Sequence, residues 1–254
     1  MRFLIKLAYK GTKYHGWQVQ DNAPSVQLFI DHALSLILGS PIQTTGCGRT
    51  DTGVHASCFF AHFDTETTLP ANIVFKINAI LPHDIVVYAI YLVPPDFSAR
   101  FDAVSRSYQY RIALSRNPFL TDTVYFFFQK LKIEEMNSAA ALLYNYSDFG
   151  CFCKSNAGNH TNICQITEAE WNKAGELLVF HITANRFLRG MVRAIVGTLL
   201  EVGLGKMNQT EFEEILKSNN RQLAGRSVPP QGLFLSEVKY NIDLIEWKGE
   251  NTPE

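Results

Sequence analysis

The reading turns on GCGRTDTGVHA, residues 46–56. Gly46, Gly48 and Gly53 fall within eight residues, so the backbone here must turn sharply or pass close to something. Arg49, Thr50 and Asp51 sit among them, and His55 lies just beyond. Val54, Ala56, Cys58 and Phe60 then alternate with their neighbours, which predicts a strand from Val54 to Phe63. The segment is a glycine-rich loop feeding a strand, with a carboxylate at its centre and a guanidinium two residues earlier. Such loops at the edge of a rigid sheet often carry reactive groups. The plain alternative is a tight turn with a surface ion pair. A phosphate loop is excluded, because no lysine follows the second glycine as G-x-x-x-x-G-K-[ST] requires. A dinucleotide loop is excluded too, because Asp51 would put negative charge where a pyrophosphate must sit. A fixed aspartate near an arginine suits a neutral or carbocation-like reacting centre better than an anionic one.

Working outward, the 254 residues are enough for one large domain or two small ones. Hydrophobic residues at 46% and charged ones at 19% are usual for a globular protein. No apolar run has bilayer length and the start lacks a signal-peptide core, so a cytoplasmic protein is expected. Cys47, Cys58, Cys151, Cys153 and Cys164 are odd in number and irregularly spaced, which favours reduced thiols. Cys151, Cys153, His160 and Cys164 invite a zinc reading but lack structural-zinc spacing, so no metal is expected. The net charge of −1 conceals segregation. Residues 1–20 carry four basic and no acidic side chains. Residues 97–116 carry four arginines against Asp102, and residues 184–206 carry four basic groups against Glu201. Charge distributed this way either lines a basic cleft for nucleic acid or forms separate solvated faces.

Strands are predicted at residues 2–9, 85–92, 107–112, 123–128, 163–171 and 176–183. Helices are predicted from Val26, with Ser25 as N-cap and Gly39 as stop, over Leu69–Ile80, and over Ile133–Tyr144. A further helix follows Asn185, where Arg186, Arg189 and Arg193 at i, i+3 and i+7 would share one face. Asn208 and Glu211 could cap another. Pro94 and Pro95 mark a break, so an N-terminal part, 1–97, and a C-terminal part, 98–254, are expected. Short alternating strands with amphipathic helices indicate an α+β fold with a largely antiparallel sheet.

GRTDTGVHA resembles the GRTDxGVHA signature of the transfer-RNA pseudouridine synthases of the TruA family. The resemblance extends along almost the whole chain. Residues 9–20, YKGTKYHGWQVQ, resemble the family's Y-D-G-[ST]-x-[FY]-x-G-W-Q-x-Q, with Lys10 in place of the Asp and Val19 in place of the Arg usual at the x before the last Gln. ARF at residues 99–101 and RSYQY at residues 106–110 resemble the family's ARF…R-x-Y-x-Y. MVRAIVG at residues 191–197 and GLFL at residues 232–235 resemble its M-V-R-x-[IL]-V-G and G-L-x-L. The resemblance implies the pseudouridine synthase fold, two similar halves flanking an active-site cleft, and no cofactor or metal. It implies a homodimer acting on tRNA at uridines 38, 39 and 40 of the anticodon stem-loop. It makes Asp51 the catalytic carboxylate and Arg193 its partner. Arg49 would fill the vacated base stack, Tyr108 would stack on the flipped uracil, and Leu233 would pack near it.

The chemistry fits these residue types. Pseudouridine formation breaks a carbon–nitrogen glycosidic bond and remakes the link through carbon, with no net redox change. One carboxylate against the sugar or base can trap an oxocarbenium-like centre or take a proton. Which of these steps Asp51 performs stays open. A non-catalytic RNA-binding protein on the same fold is an alternative that would keep the basic segments and Tyr108. A thiol hydrolase using Cys47 and His55 would need a third orienting group, and none is evident.

Overall fold

The structure, a computed structural model, describes residues 1–154, 158, 160–243 and 245–247. Its elements begin with β1 (Arg2–Tyr9), α1 (Val26–Leu38), β2 (Thr45–Gly46), β3 (His55–Asp64), α2 (Ile73–Ile80) and β4 (Ile85–Val93). Next come β5 (Ala103–Ala113), β6 (Tyr125–Phe126), α3 (Ile133–Ala141), β7 (Ile166–Ala174) and β8 (Leu177–Ala184). The chain closes with α4 (Met191–Gly203), α5 (Gln209–Ser218), β9 (Leu233–Tyr240) and β10 (Ile245–Glu246). This is the α+β architecture with mainly antiparallel strands that the alternation predicts, although β6 runs parallel to β5. Two compact units divide the described residues: Met1–Val104 with those from Leu235 onward, and Ser105–Phe234.

In the first unit β1 lies between β4 and β3, antiparallel to both. β2 pairs with β3, and β10 with β4. Phe3, Leu4 and Ile5 are all fully buried. Successive strand side chains point to opposite faces, so β1 is covered on both. α1 is bounded as its sequence predicts. Leu28 N donates to Ser25 Oγ at 3.4 Å, and Gly39 ends the helix with φ +69°. Val26, Ile30, Ala33 and Leu34 form its buried stripe. α2 starts four residues later than expected. Residues 70–73 instead close a turn, with Ile73 N donating to Pro70 O at 3.0 Å. The Asn78 amide then clamps α2 to β4 by pairing with both Val87 N and Val87 O at 2.8 Å.

In the second unit β7 and β8 form a hairpin, and β8 pairs with β5. The edge strand β7 is satisfied by side chains rather than by another strand. Asn137 accepts from Trp171 N at 2.7 Å and donates to Trp171 O at 3.1 Å, while the Tyr144 hydroxyl accepts from Ala169 N at 2.8 Å. This blunts an otherwise adhesive edge. α3 stops at Ala141 and tightens into a 3-10 turn over Leu142–Asn145, short of the predicted helix end at Tyr144. α5 carries the predicted capping box between Asn208 and Glu211. One expectation is corrected. α4 begins only at Met191, after Gly190 at φ +73°, so Arg186 lies in the irregular stretch and Arg189 in the turn before it, and Arg193 alone is helical. The left-handed glycine breaks the helical spacing that linked the three arginines.

Candidate active site

Asp51 sits in the loop joining β2 to β3, half-buried beside an exposed Arg49 and a buried Thr50. The loop is pinned on several sides. Cys47 N donates to Phe60 O at 2.7 Å, and Val54 N closes the turn onto Asp51 O at 3.1 Å. The Thr50 hydroxyl bonds the Tyr9 hydroxyl at 2.9 Å in the interior.

The remaining support comes from residues 10–17. Gly53 N donates to Tyr14 O at 3.2 Å, and Trp17 N donates to Thr50 O at 3.4 Å. Gly11 N donates to His55 Nδ1 at 2.9 Å. That bond requires Nδ1 to carry no proton, so it fixes the tautomer of a fully buried imidazole. Two backbones approach so closely that side chains do not fit between them. A Cβ on Gly11 would lie 1.9 Å from Val54 O, and one on Gly16, at φ +86°, would lie 2.1 Å from Thr50 O. Trp17 stacks on Phe59 with centroids 4.2 Å apart. The buried Tyr14 bonds Asp84 through its hydroxyl, and burial holds that phenol above its ordinary range. The glycine-rich loop and the GTKYHGW loop, distant in sequence, are therefore one structure. Sequence reading recognised both motifs but missed that the second supports the first. The paired glycines flanking Tyr14 were the available signal.

The other predicted residues belong to the second unit. Tyr108 and Tyr110 alternate onto one side of β5, as predicted. Their fates differ. Tyr110 is fully buried, donates to Pro229 O at 2.8 Å, and has its phenol pushed far up, chiefly by burial. Tyr108 is half-buried, edge-on to Phe187 with centroids 5.1 Å apart. Arg193 is half-buried on the first turn of α4. Its Nε donates to Val228 O at 2.7 Å, and Val228 N returns a bond to Arg193 O at 3.1 Å. Leu233, 6% exposed, opens β9 five residues after Val228. Segment 228–233 thus ties Arg193, Tyr110 and Leu233 into one neighbourhood. Arg111 is not a solvated charge. It lies over the Phe234 ring at 3.9 Å, and burial lowers its pKa.

The five cysteines form no disulfide. Burial pushes Cys151 up to about 12 and Cys164 to about 11. Among the described residues no group of three His, Cys, Asp or Glu side chains is placed to hold a metal ion. No described helix is long and apolar enough to cross a membrane.

Comparison with known proteins sets the class: residues 139–241 match the family model described as tRNA pseudouridine synthase. The tRNA pseudouridine synthase A of Porphyromonas gingivalis is 47% identical over 249 residues, covering 96% of this chain and 99% of that protein. The protein of the same name from Bacteroides thetaiotaomicron is 47% identical over 248 residues, covering 96% and 92%. That from Thermoanaerobacter sp. is 40% identical over 241 residues, covering 93% and 98%. The chain belongs to the tRNA pseudouridine synthase A family.

Proposed function

We propose that this chain, acting in the cytoplasm as a homodimer, converts uridine to pseudouridine at positions 38, 39 and 40 of tRNA, with Asp51 as the catalytic carboxylate. The observation that carries the assignment is the bracing of the Asp51 loop. Its Thr50 hydroxyl is held by Tyr9 and its backbone by Tyr14 and Trp17, so the loop that carries the carboxylate is fixed before substrate arrives.

The target uridine must first leave its stack, at a cost of a few kcal/mol. Arg49, exposed at the loop, fills the gap left behind. Tyr108 stacks on the extruded uracil, an interaction worth about 1–3 kcal/mol per base, and Leu233 packs beside it. Asp51 meets the sugar or base while the N1–C1′ bond breaks. The uracil turns, C5 bonds to C1′, the C5 proton leaves, and N1 takes a proton. Atoms and electrons balance within the nucleoside. The family resemblance makes Arg193 the guanidinium partner of Asp51. Its Nε donates to Val228 O at 2.7 Å, a bond that a lysine could not reproduce.

The test is Asp51→Asn. It is expected to bind tRNA much as the wild type does while pseudouridine falls to background in a digest of the product. Undiminished pseudouridine would refute the assignment. Loss of binding together with activity would point instead to an RNA-binding role for the loop.

A further inference from the structure

We infer that Phe101 is a stacking platform for an unpaired RNA base other than the uridine being isomerised. The inference rests on the reading of this chain as a tRNA-modifying enzyme and adds a contact to it. Phe101 is 79% exposed. Single exposed apolar side chains are common on protein surfaces, and Phe75 and Phe119 are exposed too; what sets Phe101 apart is the braced turn beneath it and the guanidinium over its ring.

The turn is firmly built. Within it, Ser98 N donates to Asp102 Oδ2 at 2.6 Å, Asp102 N to Ser98 O at 3.0 Å, and Phe101 N to Ser98 Oγ at 3.4 Å. Three side chains from three strands grip it from outside. Ala99 N donates to His62 Nδ1 at 3.1 Å, the Tyr240 hydroxyl donates to Ala99 O at 2.7 Å, and Arg2 donates to Phe97 O at 2.8 Å. Phe97 and Ala99 point inward and are buried, whereas Arg100 and Phe101 point outward. The ring is therefore held out on a fixed backbone, which lowers the ordering cost of binding.

The chemistry beside the ring suits a nucleic-acid base. The Arg100 guanidinium lies over the Phe101 ring, 5.2 Å from its centroid, so the pair offers the flat aromatic and guanidinium surfaces on which splayed-out RNA bases stack. Phe and Arg are frequent in protein–protein interfaces as well, and the experiment therefore reads oligomeric state alongside affinity. Two carboxylates near the turn are already engaged: Asp102 accepts from Ser98 N within it, and Asp64, at the end of β3, is held by Arg2 through bonds of 2.8 and 2.7 Å. Asp96 lies exposed just before the turn.

The experiment measures the Kd of full-length protein for unmodified tRNA by filter binding, at several salt concentrations, for wild type and for Phe101→Ala, Phe101→Leu and Phe101→Trp. The side chain is exposed, so all three are expected to fold, as circular dichroism will verify. Stacking predicts a Kd about five- to a hundredfold weaker for Ala, little rescue by Leu, and recovery with Trp. The salt dependence should be unchanged, because no phosphate contact is lost. Wild-type affinity in Phe101→Ala overturns the inference. Rescue by Leu does so too, since apolar area without a π-face would then suffice. A change of oligomeric state in Phe101→Ala overturns it in favour of a contact between copies. Pseudouridine formation by the wild type, assayed in parallel, tests the enzyme reading separately. Failure of the wild type to bind tRNA overturns both.

Discussion

At Gly16 an added methyl group meets both an unfavourable backbone conformation and a close neighbour beside the proposed catalytic carboxylate. Its φ of +86° and the 2.1 Å approach to Thr50 O leave no room for a Cβ. Gly16→Ala should destabilise the protein by about 1–3 kcal/mol in urea unfolding, and should lower turnover of folded enzyme more than tRNA affinity. An Ala variant with wild-type stability and turnover would show that the two loops need not touch. Cys47 is buried, and Cys47→Ala should remain active. Its inactivation without misfolding would revive thiol chemistry. The glycine-rich turn around Asp51 was legible because glycine spacing is local in sequence. The partners that hold it were not. Tyr9 and Thr50 are 41 residues apart, and nothing in either stretch encodes the meeting of their hydroxyls.

Elements are best judged by their ends. α1 was legible because cap, apolar stripe and stop all lie within its own residues. The start of α4 was misread because three arginines at helical spacing were persuasive and Gly190 was not weighed against them. Asn208→Ala removes a capping box and should cost about 1 kcal/mol in thermal unfolding. β3 carries a pH-sensitive element in His62. Its pKa is lowered, first by burial and then by nearby Arg2, and its Nδ1 accepts from Ala99 N. The fold therefore prefers the neutral ring. This stability is complete above the ordinary histidine range and is lost as pH falls through it, because the unfolded chain binds the proton more readily. Asp64, held low by its hydrogen bond to Arg2, adds a further loss at more acid pH. The melting temperature should thus fall on going from pH 8 to pH 5, and less steeply in His62→Asn, which keeps an acceptor but cannot titrate. Equal slopes would remove His62 from the explanation.

At the scale of the whole molecule, a net charge of −1 coexists with three basic segments. Affinity for tRNA should fall with salt, with a logarithmic slope of about 0.7–0.9 per phosphate neutralised, whereas a flat response would mean the basic segments do not meet the RNA. Sedimentation equilibrium should show a dimer, and a monomer at all concentrations would contradict that part of the proposal. Fold class was legible because period-two alternation marks β1, β3 and β5. Strand order was not, since β1 lies between β3 and β4 and alternation reports a strand without naming its neighbours. The most direct measurement of the central claim is tritium release from tRNA labelled at uracil C5. The wild type should release the label as the new carbon–carbon bond forms, and Asp51→Asn should release none above background. Equal release from both proteins, or none from the wild type, would contradict the account.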